Sequence, residues 1–426
     1  MRVTIFPGPL QGSVNIIPSK SQLHRLLICA ALADGETKLR SAPTEADDVN
    51  ATIACLNALG AEIERVEGGF QIKPLSRKKL PVRAVLPVHE SGATFRFMLP
   101  LACALGVFGE FRMAGRLPQR PLAPLDEELT RQGITLTRLA PNVLCTEGQL
   151  QAGDFVLPGN VSSQYITGLL LALPLLKKDS TLTIEGKVES ADYIQMSLDA
   201  AAVFGQTPTL EENVYQIKGG TSYKSPGTTD AEGDWSNAAF WLSAGAMPGG
   251  NVEVRGLNPT SSQGDSEIVR VLEQMGAVIT HTDDAVTASE GTRRRVTIDA
   301  TAIPDLIPVL SAVAAVSEGR TVIKNAARLR IKESDRLAST AQTLNALGAK
   351  VTEKPDGLVI EGVPRLKGGT VDAWGDHRIA MMAAVASCAC DAPVMITGAN
   401  AVRKSYPQFW EELAALGKEV HLVEEV

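Results

Sequence analysis

The join Ala58-Leu59-Gly60-Ala61-Glu62-Ile63 closes a helix-like run and opens a strand-like one, and its centre returns five times, at Gln132-Gly133, Phe204-Gly205, Met275-Gly276, Leu347-Gly348 and Leu416-Gly417. The glycines lie 73, 72, 71, 72 and 69 residues apart. So regular a period reads as six copies of one structural unit, and a Gly just past a helix is where the chain needs a left-handed residue to turn. A second helix precedes each join, as in Leu26 to Ala33, followed by the turn Asp34-Gly35-Glu36 and the β-rich Thr37-Lys38-Leu39. Equivalent units begin near Ser91, Ser162, Asp234, Pro304 and Asp376. Each copy reads strand, helix, strand, helix, strand, strand, which is an α/β pattern.

A chain of 426 residues exceeds what one hydrophobic core usually organises, so six copies group as two domains of three. The Gly-, Ser- and Pro-rich stretch Lys218-Gly219-Gly220-Thr221-Ser222-Tyr223-Lys224-Ser225-Pro226-Gly227 lies between the third and fourth copies and reads as a hinge. Only a short strand precedes the first helix, so the extreme N-terminus is expected to pair with the later half. With aromatics at 4% and a formal charge of −7, the chain lacks both a base-stacking surface and a basic face, and nucleic acid is not an expected partner. The longest run of like charge is Arg293-Arg294-Arg295. Met1-Arg2-Val3-Thr4-Ile5-Phe6-Pro7 has no apolar core of a signal peptide, and no stretch is apolar enough to span a membrane. A cytoplasmic protein with no membrane partner is expected. Cys29, Cys55, Cys103, Cys145, Cys388 and Cys390 sit in apolar runs without metal-ligand spacing, and are read as buried free thiols.

The polar residues gather where helices begin. Ser19-Lys20-Ser21-Gln22-Leu23-His24-Arg25, Glu90-Ser91-Gly92-Ala93-Thr94-Phe95-Arg96, Val161-Ser162-Ser163-Gln164-Tyr165, Lys332-Glu333-Ser334-Asp335-Arg336 and Gly375-Asp376-His377-Arg378 all precede or open apolar helical runs. Ser and Asp at such places serve equally as helix caps or as anion ligands. The cations are less easily explained, because Lys and Arg in a first turn oppose the helix dipole. For Lys20, Arg25, Arg96, Arg336 and Arg378, bound anions would supply the reason. Glu333 beside Lys332, and Asp376 beside His377-Arg378, interleave acids with these cations, either as proton donors and acceptors or as ion pairs. Asp305, alone among apolar neighbours in Ile303-Pro304-Asp305-Leu306-Ile307, reads as a helix cap or as a further acid.

With these motifs the sequence resembles the 5-enolpyruvylshikimate-3-phosphate synthase family from about Gly12 to Phe409. Pro18-Ser19-Lys20-Ser21, His24-Arg25, Gln119-Arg120-Pro121, Ser162-Ser163-Gln164, Lys332-Glu333-Ser334-Asp335-Arg336-Leu337 and Gly375-Asp376-His377-Arg378-Ile379-Ala380-Met381 stand in the family's order. The resemblance implies a two-domain enolpyruvyl transferase fold of six βαβαββ repeats, three per domain. Residues 15–228 would carry the shikimate-phosphate side, residues 1–14 with 229–426 most of the phosphoenolpyruvate side, and the cleft between domains the active site. It also implies the substrates, shikimate 3-phosphate and phosphoenolpyruvate, with no metal and no cofactor, and a monomer is expected.

By matching motif, Lys20 would lie between the substrates. Ser21, Arg25, Ser162, Ser163, Gln164, Ser190, Tyr193, Asp305 and Lys332 would face shikimate 3-phosphate, and Gly92, Arg120, Gln164, Arg336, Arg378 and Lys404 would face phosphoenolpyruvate. Asp305 would be the base for the 5-hydroxyl, Glu333 the acid that protonates the methylene carbon, and Lys20 the partner of the leaving phosphate. Glu90 stands where Asn is common in the family, Ala93 and Phe97 where Thr and Pro are common, and the usual Gly before Ser19 is replaced by Pro18. These departures point to altered sensitivity to glyphosate, a phosphoenolpyruvate mimic, in the direction of less. A transferase acting on UDP-N-acetylglucosamine would share the fold but usually carries Cys or Asp on a mobile loop. The stretch Arg112-Met113-Ala114-Gly115-Arg116-Leu117-Pro118-Gln119-Arg120 has neither. A non-catalytic anion-binding repeat protein would need the cations, but not Asp305 and Glu333 as well.

Overall fold

The computed structural model describes residues 1–424. The chain forms two compact units: a continuous one, Pro18–Ala231, and a split one built from Met1–Ile17 and the chain from Glu232 onward. The continuous unit contains helices α1 (Lys20–Ala31), α2 (Asp47–Ala58), α3 (Gly92–Leu105), α4 (Leu125–Arg131), α5 (Ser163–Ala172) and α6 (Ala191–Val203). The split unit contains α7 (Trp235–Gly245), α8 (Ile268–Gln274), α9 (Ile307–Ala315), α10 (Arg336–Ala346), α11 (His377–Ala386) and α12 (Phe409–Ala415).

The two helices of each repeat differ in kind. The first of each pair is apolar nearly all round: every residue of α9 and α11 is buried, and all but Ala93 in α3. A helix without a polar face has to sit inside, and α7, α9 and α11 pack on one another in one unit as α3 and α5 do in the other. The second helix of each pair is amphipathic and covers the outside. Each unit closes its own hydrophobic core, one around α3 and α5, the other around α7, α9 and α11.

Among the described residues, six four-stranded sheets wrap these cores with one repeated topology, in which the first strand is parallel to the second and the remaining pairs are antiparallel. The pattern eBeBiBe along Arg83–His89 shows why one face suffices: alternate side chains turn inward and the others meet solvent. Two sheets borrow their first strand from afar. Thr228–Asp230 lies parallel to Thr37–Arg40, completing the first repeat, and Gln11–Asn15 lies parallel to Asn251–Arg255, completing the fourth. Arg2–Ile5 inserts between Val394–Thr397 and Val420–Val423 in the sixth sheet. The sequence order of strand, helix, strand, helix, strand, strand thus holds in space for every repeat, though not always with strands adjacent in sequence.

The six repeat glycines take φ between 76° and 103°. At each, the residue after Gly donates its N–H five residues back, as in Ala61 to Leu56 O and Ala349 to Leu344 O, both at 3.0–3.1 Å. This double-bonded ending satisfies the last carbonyls of the helix and needs a residue free of Cβ strain. The six cysteines are free and buried.

The glycines separate two costs. A Cβ at Gly60 would meet nothing within 4 Å, so Gly60→Ala carries only the left-handed backbone penalty of about 1 kcal/mol. At Gly348 a Cβ would lie 2.9 Å from Lys367 Cγ and 3.2 Å from its backbone nitrogen, so Gly348→Ala should cost about 2–3 kcal/mol. Urea unfolding of the two variants checks this; equal losses would contradict it.

Candidate active site

In the continuous unit the polar residues sit where α1, α3 and α5 begin. Ser19 caps α1 by accepting the Gln22 N–H, and Lys20 donates to Asp48 Oδ2 on α2 at 2.7 Å. One turn on, the buried Arg25 donates to Ser197 Oγ at 2.8 Å, to the Tyr193 carbonyl at 2.8 Å and to the Ser21 carbonyl at 2.6 Å. Its guanidinium lies over the Phe97 ring, 5.2 Å from the centroid, and burial pushes it down to about 10. Phe97, one of the departures from the family pattern, is therefore a core residue beneath Arg25.

His24 belongs to a buried chain of hydroxyls: Nδ1 to Thr52 Oγ1, Thr52 Oγ1 to Thr94 Oγ1, and Thr94 Oγ1 to Ser91 Oγ, each 2.7 Å. Thr94 donates to the Asp48 carbonyl at 3.2 Å, so Ser91 and Thr52 donate to Thr94, and His24 donates through Nδ1. Burial, then Lys20 and Arg25, hold the imidazole well below its ordinary pKa. His24 is a neutral strut joining α1, α2 and α3.

Ser91 caps α3 and Ser162 caps α5, each accepting a backbone N–H of its own first turn. A Cβ at Gly92 would lie 2.6 Å from Nη1 of both Arg120 and Arg96, so two guanidinium groups crowd the start of α3 against a bare backbone. Arg96 also donates to Gln164 Oε1 at 3.1 Å, bringing Gln164 into the same cluster. Two like charges held beside free helix amides favour an anion there. Ser163 is buried in the first turn of α5, and Ser190 precedes α6 with φ 54°. Tyr193 enters the network through its carbonyl. The Glu90 carboxylate lies against Gly115, where a Cβ would come within 2.4 Å of it.

The split unit gathers Asp305, Lys332, Glu333, Arg336 and Arg378 into one cluster. Arg336 is buried and donates to Asp305 Oδ1 at 2.7 Å, Glu333 Oε2 at 2.6 Å and Asp376 Oδ2 at 2.8 Å. Arg378 donates to Asp305 Oδ2 at 3.2 Å and Ser236 Oγ at 2.7 Å, while Lys332 Nζ lies 3.5 Å from Asp305 Oδ1. Burial pushes the Asp305 carboxyl up, but Arg378, Lys332 and Arg336 together outweigh it and hold the group well below the usual carboxylate range. Burial pushes the Lys332 ammonium down to about 8, with Asp305 opposing and Arg336 adding to the shift. Lys404 closes a short 3-10 turn and donates to the Gly375 carbonyl at 2.6 Å, fixing the residue before the Asp376 cap of α11.

The first-turn cations thus have a reason other than bound anions alone. Arg336 answers three carboxylates and Arg25 answers carbonyls and a hydroxyl of its own unit, and buried charges need such partners. Asp48, Ser197, Ser236 and Asp265 also belong to these networks and escaped the sequence reading. Asp47-Asp48 resembles an ordinary acidic first turn, and the other three carry no local signal. Among the described residues no group of three or more His, Cys, Asp or Glu could hold a metal ion, and no helix is long and apolar enough to cross a membrane.

Six repeats in two units, with acids and bases at the helix starts, define an enolpyruvyl transferase fold; the enolpyruvyl transferase NikO from Streptomyces tendae superposes over 99% of this chain and 98% of its own with a TM-score of 0.78 at 19% identity. The EPSP synthase from Acinetobacter baumannii matches with a TM-score of 0.79 at 27% identity, covering 99% of this chain and all of that one. A family model described as EPSP synthase (3-phosphoshikimate 1-carboxyvinyltransferase) matches residues 6–413, and the chain belongs to that family. The 3-phosphoshikimate 1-carboxyvinyltransferases of Clostridium kluyveri and Clostridium acetobutylicum are each 42% identical, over 98% of both chains.

The carboxylate cage makes Arg336 the keystone of its unit. Arg336→Met should destabilise the protein by about 3–5 kcal/mol, because it strands buried carboxylates without their cation. Denaturant unfolding checks this, and a loss below about 1 kcal/mol would show that the cage relaxes to water.

Proposed function

We propose that this chain transfers the carboxyvinyl group of phosphoenolpyruvate to the 5-hydroxyl of shikimate 3-phosphate and releases phosphate, the activity of its family. The observation that carries the reading is the cluster in which one buried arginine joins Asp305 and Glu333 while Lys332 and Arg378 flank Asp305. Acids and cations held together at one point can move protons as well as bind anions.

Shikimate 3-phosphate takes Lys20, Ser21, Ser162, Ser163, Gln164, Ser190, Tyr193, Asp305 and Lys332, with Arg25 bracing Ser21 and Tyr193 through their carbonyls. Phosphoenolpyruvate takes Lys20, Gly92, Arg120, Gln164, Arg336, Arg378 and Lys404. The 5-hydroxyl oxygen bonds to C2 of phosphoenolpyruvate as its proton passes to Asp305 and Glu333 protonates C3. Glu333 then removes a proton from the new methyl group, the C2–O bond to phosphate breaks, and Lys20 meets the departing charge. Asp305 is ionised but weakly basic among its cations, so it takes the proton late, once bonding to C2 has acidified the hydroxyl. Fixed cations around the adduct act without reorganising, the usual source of strong transition-state stabilisation. The protein acts in the cytoplasm as a monomer; each unit's core closes within one chain, which supports the latter.

Phosphate release from phosphoenolpyruvate should depend on shikimate 3-phosphate and be absent with UDP-N-acetylglucosamine, the product being confirmed by mass. Release with the UDP-sugar alone would overturn the acceptor. Glu333→Gln and Asp305→Asn should each lower kcat by about 10²–10⁴ while changing shikimate 3-phosphate binding far less; near-normal turnover in either removes that residue's role.

The pH profile gives a separate test. Lys332 is charged below about 8 and neutral above it, so kcat/KM for shikimate 3-phosphate should fall as pH rises through that value. Lys332→Arg keeps its charge throughout and should move the limb to higher pH. An unmoved limb would exclude Lys332 as its source.

A further inference from the structure

Behind Arg378 lies a buried acid that the proposed chemistry does not use. Asp265 sits in the 3-10 turn Gly264–Glu267 and is 3% exposed. That turn is fastened to the start of α7 by Gln263, which accepts the Trp235 N–H at 3.1 Å and donates to the Gly233 carbonyl at 2.8 Å. Trp235 Nε1 donates to the Asn258 carbonyl at 3.0 Å, and Glu232 accepts from Asn258 Nδ2 at 2.6 Å, so both approaches to α7 are tied to the same loop. The result sets Asp265 beside Ser236, on the first turn of α7.

Ser236 stands between two charged groups. Its hydroxyl hydrogen-bonds the Asp265 carboxylate, and its oxygen accepts from Arg378 Nη2 at 2.7 Å. A hydroxyl has one proton, and with Arg378 donating to the oxygen, that proton goes to Asp265. On its other side Arg378 bonds both the carboxylate and the carbonyl of Asp305. The guanidinium is thus held from two directions, by Asp305 in front and by Asp265 through Ser236 behind. Burial and the Asp305 charge push Asp265 up to about 6, with Arg378 and Ser236 opposing and the Asp234 carboxylate adding to the rise. A carboxylate kept in so unfavourable a place answers to its cation.

The geometry points to Asp265 as a positioning residue that, through Ser236, sets the Arg378 guanidinium for the carboxyl or phosphate of phosphoenolpyruvate. This rests on the reading above that Arg378 binds phosphoenolpyruvate. Rigid support behind a binding group lowers the cost of ordering it when the ligand arrives, so the effect falls on one substrate more than on turnover.

Steady-state kinetics of Ser236→Ala, Asp265→Asn, their double variant and Arg378→Gln test this, with thermal melting to confirm folding. Ser236→Ala and Asp265→Asn should each raise KM for phosphoenolpyruvate roughly tenfold, a hydrogen bond to a charged group being at stake, and change KM for shikimate 3-phosphate and kcat less than about threefold. The double variant should be no worse than the more affected single one, because both act along one path. If Asp265→Asn fails to fold, Ser236→Ala alone decides. Arg378→Gln raising KM for phosphoenolpyruvate while Ser236→Ala leaves it within about twofold would overturn the positioning role and spare the reading beneath it. An unchanged KM in Arg378→Gln would overturn both.

Discussion

The first helix of every repeat has no polar side, and the rest of the molecule follows from that. A helix such as α9 or α11, buried along its whole length, leaves only its ends for polar groups. Its last carbonyls are met by the chain, but its first amides face outward and attract caps and anions. Ser19, Ser91, Ser162, Asp234 and Asp376 occupy those starts. With apolar helices gathered side by side in each unit, their starts become a shared polar floor where much of the buried charge collects.

Charge on that floor is organised in opposite ways in the two units. In the continuous unit, Arg96 and Arg120 crowd Gly92, and Lys20 pairs with Asp48. In the split unit, three cations are paired with carboxylates: Arg336 has three, and Arg378 and Lys332 share Asp305. The first arrangement favours a ligand's negative charge directly. The second is close to neutral and suits proton movement, since acids and bases held together have their protonation states set by one another. A net charge of −7 says nothing about either, because sign is arranged locally.

The legible parts of this fold were those written in periodicity and in local chemistry. The glycine period showed as six copies because each helix ending needs the same left-handed residue, and all six take positive φ. The helix starts were legible because a polar cluster ahead of an apolar run has few explanations. What stayed hidden was partnership at a distance. Arg336 and Asp376 are 40 residues apart, and Arg25 and Ser197 are 172 apart; no local pattern joins them, so cations that answer the chain's own carboxylates and carbonyls looked as if they awaited anions. Phe97 stands among the departures that point to altered glyphosate sensitivity, but one residue after Arg96 on a helix is about 100° around the axis, enough to turn it beneath Arg25.

The same limits explain why Asp305 and Asp265 were hard to rank from sequence. Each is an acid beside Arg378, Asp265 buried and Asp305 partly so, and burial alone would raise both. They part because Asp305 receives Lys332, Arg336 and Arg378, whereas Asp265 sees Arg378 across a serine and feels the Asp305 charge. Neighbours push one well below the ordinary range and leave the other near 6. Two acids separated in this way can divide their work, one held ionised among its cations and one left closer to neutrality. The division arises from which helix starts happen to meet, a property of the repeat packing.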